Sequence, residues 1–551
     1  MEQRFNGISN NIVCKVKELN PMNKENPFEL VDDTAHERAR YSHQKMGKYS
    51  TVTEMIRSSK GNKVSKQISM KLSHQERFGH PSFERIFQDF YILGVENNSK
   101  LEIDIHGCTK PTMLYSYMAY GKKEDRERVE SIKDFWFPDG LPVEEIDTED
   151  GKYFAEIEDA LYSKHPYRKN SFVFTMNNTE DASREWDYIN FLCIRFTDIV
   201  RCKKRAFKKG TYLTQKAYCF KFDHSWYELV LDIANTLMSM FKDSWVHEMN
   251  RFSITNFNES ITPLSNELKA FLRSPAITWE MKNLIDDLNE YEFKHHEGSD
   301  IQYRVQGDIM SINFIQPTVI EYRYFDAKWF SPILFKKLTV DQFLSCLFAV
   351  MLERTVVFIS SDPQHSSWAV LGMRALIEPF KVCCAIIPVM PQPVLDYLSA
   401  PVPLLIGLSS KLLKNNKINY FDPGQDLNEE INWIDLDDYS KSLWNRVDFT
   451  PPYLSNLKER IKKDYEFIRS FKKNLMELQS DEVYKKVISI ADSIRSSLME
   501  HFLSILPAEI DTTEPIRTQD LQFNDESDKE FFDEFRHTLM FNTYINDACK
   551  T

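Results

Sequence analysis

Between Thr339 and Leu408 the apolar pattern alternates between helical and extended spacing, and that alternation limits the fold more than any other feature of the chain. The stripe over Thr339 to Leu352 predicts a helix. Val356-Val357-Phe358-Ile359-Ser360 follows as a strand, then a polar turn from Ser361 to Ser367, then a helix from about Trp368 to Ile377 that ends ahead of Pro379. Val382 to Val389 is uniformly apolar, the pattern of a strand covered on both faces. Helix–strand–helix–strand order implies a parallel α/β sheet with right-handed crossovers. Leu404 to Leu408 and Ile431 to Leu436 supply further strands.

Upstream the spacing is different. Phe90 to Val95 and Pro111 to Tyr117 read as short strands. Phe135-Trp136-Phe137-Pro138-Asp139-Gly140 is an aromatic segment closed by a turn signal. Ser171 to Thr175 and Tyr188 to Ile194 read as an antiparallel pair, residues 201–209 as a basic loop, and Tyr218 to Phe222 as another strand. Trp226, Leu229, Val230, Ile233, Ala234 and Leu237 then fall on one face of a helix. Residues 242–300 lack strand character and read as a connector; its His295-His296 pair is the kind that is usually solvated rather than metal-bound. After Pro452 two apolar stripes at helical spacing, from Leu457 to Leu478 and from Val487 to Phe502, are followed by a polar loop, 508–528, and a last helix from Lys529 to Asn546.

At 551 residues the chain exceeds what one core supports, so several domains are expected. The 15 glycines are well below the roughly 7% average, and neither GxxxxGK[ST] nor GxGxxG occurs, so phosphate-cradling loops are not expected. Residues 1–80 hold 14 Lys/Arg against 9 Asp/Glu, a net of +5, which leaves −18 on the rest of a chain whose formal net charge is −13. That basic, Asn- and Ser-rich stretch reads as a mostly disordered leader, with residues 51–72 a short basic helix able to touch an anionic membrane. The acidic body gives no nucleic-acid footprint, so nucleic acid is not an expected partner. Nine cysteines without a CxxC pair signal neither zinc nor a disulfide framework, and no signal peptide or run of about 20 apolar residues is seen, so a cytoplasmic protein with only peripheral membrane contact is expected. No cofactor or metal is expected.

Several segments, in order, resemble the three-part DENN-domain family. Phe90 to Val95, Leu114-Tyr115-Ser116-Tyr117 and Phe135 to Gly140 resemble its first part, although Met118 stands where proline is usual. Leu352-Glu353-Arg354 leading into Val356 to Ser361, Glu378-Pro379-Phe380-Lys381, Ile387-Pro388-Val389-Met390-Pro391, Ala400-Pro401-Val402-Pro403 through Gly407, and Ile434-Asp435-Leu436-Asp437 resemble the central part. Phe531 through Thr543 resembles the third. The resemblance implies an α/β plus all-α protein: a leader (1–80), a longin-like N-terminal lobe (81–241), the connector (242–300), a parallel α/β central domain (301–440) and a helical C-terminal part (441–551). It further implies a guanine-nucleotide exchange factor for a Rab-type small GTPase seated between two lobes, with a DENN-like scaffold or a GTPase-activating protein as the alternative.

Exchange makes and breaks no covalent bond in the exchange factor, so the residues sought are exposed anchors rather than acids, bases or nucleophiles. Ser360 and Ser361 end a central strand, and Gln364, His365 and Trp368 open the next helix, where α/β sheets favour ligands. Arg374 is a charged candidate on that helix. Arg184, Glu185 and Tyr188 flank a strand of the first part. Each has a structural alternative: a helix cap for Ser361, core packing for Trp368, solvation for Arg374, a simple turn for the 184–188 group.

Overall fold

The computed structural model describes residues 83–118, 130, 132–145, 171–177, 188–205, 208–222, 225–255, 276–291, 293–294, 300–304, 310–316, 318–419, 431–443, 452–471, 480–505 and 526–550. The leader with its 51–72 segment, Arg184, Glu185 and His295-His296 lie outside them. The molecule is a mixed α/β protein, and among the described residues no helix is long and apolar enough to cross a membrane.

The first sheet is antiparallel. Its strands are β1 (Asp89–Gly94), β2 (Thr112–Met118), β3 (Ser171–Asn177), β4 (Tyr188–Arg205) and β5 (Lys208–Phe222), in the order β2-β1-β5-β4-β3, with the Glu144–Glu145 pair added beside β5. Its strands are largely apolar because both faces are covered. Phe90, Ile92, Leu192, Ile194, Tyr218 and Phe220 point into one cluster, and Tyr91, Leu93, Phe191, Cys193, Ala217 and Cys219 into another, as the two-residue period requires. The 201–209 stretch is therefore not a free loop: β4 and β5 pair almost to their tip, with Arg205 opposite Lys208.

Helix α1 (Tyr227–Thr255) covers the first of those faces, burying Leu229, Val230, Ile233, Ala234 and Leu237. It extends well into the stretch read as a connector, and α2 (Trp279–Glu290) forms there too, opened by the Thr278 hydroxyl accepting from the Met281 N–H at 3.2 Å. A hairpin of β6 (Asp300–Arg304) and β7 (Ser311–Ile315) follows.

The second sheet is wholly parallel. β8 (Val356–Ser360) lies between β10 (Leu404–Ser409) and β11 (Asn432–Asp435), and β9 (Ala385–Ile387) flanks β10. Helices α3 (Val319–Phe330), α4 (Pro332–Lys337), α5 (Val340–Met351) and α6 (Pro363–Leu376) share one cluster with Val356, Phe358 and Leu405 of its strands. Capping boxes at Thr318/Glu321 and Thr339/Gln342 start α3 and α5. Two expectations change here. The uniformly apolar 382–389 run yields only a three-residue edge strand, with Ala385 exposed, because Pro388 cannot donate to a ladder and the chain crosses instead onto Gly407, whose carbonyl accepts the Met390 N–H at 2.9 Å. The polar turn over Ser361 to Ser367 is mostly helix. Asp362 caps it, accepting from the Gln364 N–H at 2.9 Å, and Pro363 occupies the first turn.

The helical end consists of α8 (Pro452–Ser470), α9 (Asp481–Ile505), α10 (Glu526–Phe535) and α11 (Leu539–Lys550); the single last helix expected from the sequence is broken at Arg536 to Thr538. (The intervening α7 is the short Ser410–Asn415 helix after β10.) Tyr465 of α8 is fully buried and donates its hydroxyl to the carbonyls of Leu338 and Thr339 at 3.1 and 3.2 Å. One cluster runs unbroken from Phe90 and Phe220 through α1 to Phe330, Phe343, Tyr465, Ile494 and Phe541.

Candidate functional site

Two sequence segments 76 positions apart close on each other at the carboxyl end of β8. The segment after β11 folds over that end because the Asp435 carboxylate accepts the N–H groups of Asp437 and Asp438 at 2.9 and 2.8 Å. Asp437 is thereby aimed at the paired serines. It accepts the Ser361 main-chain N–H at 2.6 Å and the Ser360 hydroxyl at 3.1 Å. Lys337 at the end of α4 stands 3.5 Å from it. The neighbouring His365, its Nδ1 3.9 Å from the carboxylate, then the Ser361 N–H and the Lys337 charge, hold the Asp437 carboxyl far below the usual carboxylate range, against the opposing effect of burial.

Serine, histidine and aspartate meet here, yet the arrangement is a latch and not a nucleophile. His365 Nδ1 lies 3.3 Å from Ser360 Oγ. The hydroxyl donates to Asp437, accepts the Asp362 N–H at 3.1 Å, and has no exposed surface. A serine relay needs the carboxylate on the far side of the imidazole and the hydroxyl open to substrate. What reaches solvent is the lip of the latch: Ser361 and the outer edge of Asp437, with Lys441 beyond them paired to Asp438 at 3.0 Å.

The other candidates on α6 face inward. Gln364 is 1% exposed and its amide donates to Ser171 Oγ at 3.4 Å on β3 of the first sheet. Trp368 is 3% exposed and packs edge-on against Trp329 and Phe330. Arg374 pairs with Asp326 of α3 at 3.0 Å. Between Gln364 and Trp368, Ser367 donates to the Val173 carbonyl and accepts the Val173 N–H at 3.3 Å. A partner reaches Gln364 or Trp368 only if α6 parts from β3. Tyr188 opens β4 opposite Asn177. Asp437 stands inside a sequence motif but not among the candidate residues that the sequence suggests, and Lys337 and Asp362 stand in neither. The signal for Asp437 is its place directly after an apolar strand of a parallel sheet, beside the ends of the neighbouring strands.

The same region carries the likeness to known proteins. Residues 326–438 match the model of the DENN (AEX-3) domain. The chain is 39% identical over 80 residues to DENN domain-containing protein 2A of Mus musculus, covering 14% of this chain and 8% of that protein. It is 24% identical over 245 residues to DENN domain-containing protein 1B of Homo sapiens, covering 43% and 28%. It is 29% identical over 171 residues to MAP kinase-activating death domain protein of Caenorhabditis elegans, covering 29% and 12%. The matched segments thus span less than a third of each of these relatives.

Proposed function

Since the chain belongs to the DENN-domain family, we propose that it is a guanine-nucleotide exchange factor that promotes GDP release from a Rab-type small GTPase. The observation that carries this reading is the position of the family match: residues 326–438 contain the whole parallel sheet and the Ser361–Asp437 latch on its carboxyl edge. In this reading the first sheet with α1 is a longin-like lobe, the parallel sheet and the helical end form the second, and the GTPase sits between them. The protein works in the cytoplasm, peripherally on vesicle or endosomal membranes.

The chemistry asked of such a protein is differential binding. A GTPase holds its nucleotide through a phosphate loop, switch segments and Mg²⁺. A surface that fits only the displaced switches shifts the GTPase toward release by its preference for that state. Ser361 and the rim of Asp437 are the exposed groups we assign to that contact, with Arg184, Glu185 and Tyr188 on the first lobe. Ser360 holds the lip in place from beneath, while Gln364, Trp368 and Arg374 fix α6 against Ser171, Trp329 and Asp326.

The test is release of fluorescent GDP from a panel of Rab GTPases, with catalytic amounts of the full chain and excess GTP. Acceleration for one or a few members supports the reading and names the substrate. Silence across the panel refutes it, and faster GTP hydrolysis in the same panel replaces it with an activating role.

A further inference from the structure

Resting on the exchange reading, we propose that the 103–106 turn of the first lobe supplies a further part of the GTPase contact, with Ile105 as its apolar anchor and Lys411 joining it to the Ser361–Asp437 lip. The carboxyl rim of the parallel sheet sets these groups in a row. Ser360 and Ser409 are partners in the β8–β10 register, β11 pairs with β8 on its other side, and Lys411 follows two residues after Ser409. Neighbouring strands lie about 4.8 Å apart, so Lys411 continues the row that Asp437 and Ser361 begin. The first lobe meets the sheet at this end of β10. Val389 is buried in that lobe's cluster with Leu141 and Val143, and its neighbour Met390 donates to the Gly407 carbonyl of β10 at 2.9 Å. Leu141 in turn pairs with Thr109, next to Cys108. Burial raises the Cys108 thiol, and the Lys411 charge pulls it back down, with a larger effect than Asp104 or Asp139. The turn that ends at Cys108 and α7 thus face each other across the two lobes.

The turn is built as a rigid knob. Asp104 accepts the N–H groups of His106 and Cys108 at 2.8 and 2.9 Å, its own N–H donates to the Cys108 carbonyl at 2.8 Å, and the Gly107 carbonyl accepts the Val143 N–H at 2.9 Å. On this frame Ile103 is 47% exposed and Ile105 94% exposed. Single exposed aliphatic side chains are ordinary on a protein surface. Here two of the seven large apolar side chains exposed among the described residues fall within three positions of one braced turn, beside the second lobe. An anchor already held in place costs little ordering when a partner buries it. The nearby acids are engaged: Asp104 Oδ1 by the turn's own N–H groups, and Glu102 by Lys100 at 3.1 Å. Lys411 and Lys414 are exposed on α7. Together these groups suit a GTPase face with an apolar hollow bordered by acidic side chains.

The experiment measures fluorescent GDP release from the GTPase that the panel identifies, over a range of concentrations of the full chain, for the unaltered protein and for I105D, K411E and W279S. I105D should lower kcat/KM for release at least about tenfold, as loss of a central anchor does, while melting with the unaltered chain because so exposed a side chain supports no core. K411E should slow association several-fold and weaken its salt dependence. W279S removes the 72% exposed Trp279 from α2, whose buried side chains join the cluster on the opposite face of the first sheet, and should change nothing. I105D releasing GDP as fast as the unaltered chain overturns the proposal, whatever K411E does, and leaves the exchange reading intact. An equal loss in W279S overturns it as well, because the effect is then not local to the turn. Unchanged exchange in I105D, together with loss of a self-association present in the unaltered chain, also overturns it and assigns the turn to a second copy. Silence of the unaltered chain across the panel is a different failure: it removes the exchange reading, and this contact with it.

Discussion

Glu353 caps the helix that begins at Leu539, 186 positions away: its two carboxylate oxygens accept the N–H groups of Leu539 and Met540 at 3.0 and 2.8 Å. It does so from a left-handed backbone, φ 53°, in the turn between α5 and β8. Its neighbour Arg354 pairs with Glu534 of α10 at 2.8 Å. The Leu352-Glu353-Arg354 lead into the central strand thus holds the C-terminal helices in place. A carboxylate at a helix N-terminus satisfies otherwise orphaned donors and meets the positive end of the helix dipole.

Replacing it should therefore loosen the helical end specifically. Glu353→Ala is expected to cost about 1–2 kcal/mol in urea unfolding, and Glu353→Gln less, because one carbonyl oxygen remains to accept. The Arg354–Glu534 pair is partly exposed, so Arg354→Ala should cost under about 1 kcal/mol. Equal stability of Glu353→Ala and the parent chain would show that the cap does not hold α11.

Gly407 in β10 makes a sharper demand. A Cβ there would stand 2.0 Å from the Pro388 carbonyl oxygen, a main-chain atom that cannot swing aside. Gly407→Ala should displace the edge strand β9 and cost on the order of 3 kcal/mol or more. Gly372 of α6 lies against the Ser331 backbone, which a Cβ would meet at 2.9 Å, so Gly372→Ala should be destabilising but milder. Melting temperatures of the two variants rank them; the reverse order would contradict the packing described.

Lys216 and Asp198 form an ion pair at 3.1 Å inside the first lobe, with side chains 8% and 3% exposed. Breaking such a pair from one side strands a charge, so Lys216→Met should cost about 3–5 kcal/mol. Removing both charges, as Lys216→Met with Asp198→Leu, should recover most of that loss. A double variant no more stable than the single one would mean that packing around the pair, and not its charge, accounts for the loss.

How far the sequence reveals this protein differs by level. The alternation of faces in β1 is plain in it, since Phe90 and Ile92 must part from Tyr91 and Leu93 whatever covers them. The parallel sheet follows from the helix–strand order, because a parallel return needs a crossover. What it leaves out is set by partners distant in the chain. Ser366 and Ser367 look like turn residues because their polarity is visible and the Val173 main chain that satisfies Ser367 is 194 positions away. Gln364 and Trp368 look like surface anchors until β3 is laid against α6. Asp437 and Ser361 are each legible as strand-end residues, but their 2.6 Å contact depends on the register of β11 against β8.

His501 in α9 gives the fold a weakness on the acid side. Burial pushes its imidazole down from the ordinary 6.5 to about 4. Above pH 6.5 the ring is neutral in both the folded and the unfolded chain, and it makes no difference to stability. Between pH 6.5 and 4 the unfolded chain binds a proton that the folded one refuses, so stability falls as pH falls through that window. The full loss is about 3 kcal/mol, reached as pH drops below about 4, by the free energy of a shift this size. His501→Gln, which cannot take the proton, should flatten that part of the profile. Chemical unfolding of both proteins at pH values of about 7.5, 6, 5 and 4, spanning roughly the window set by this shift, gives the comparison directly. Parallel profiles would place the acid sensitivity elsewhere, whereas a gap that shifts in favour of the variant as pH falls assigns it to this one buried ring.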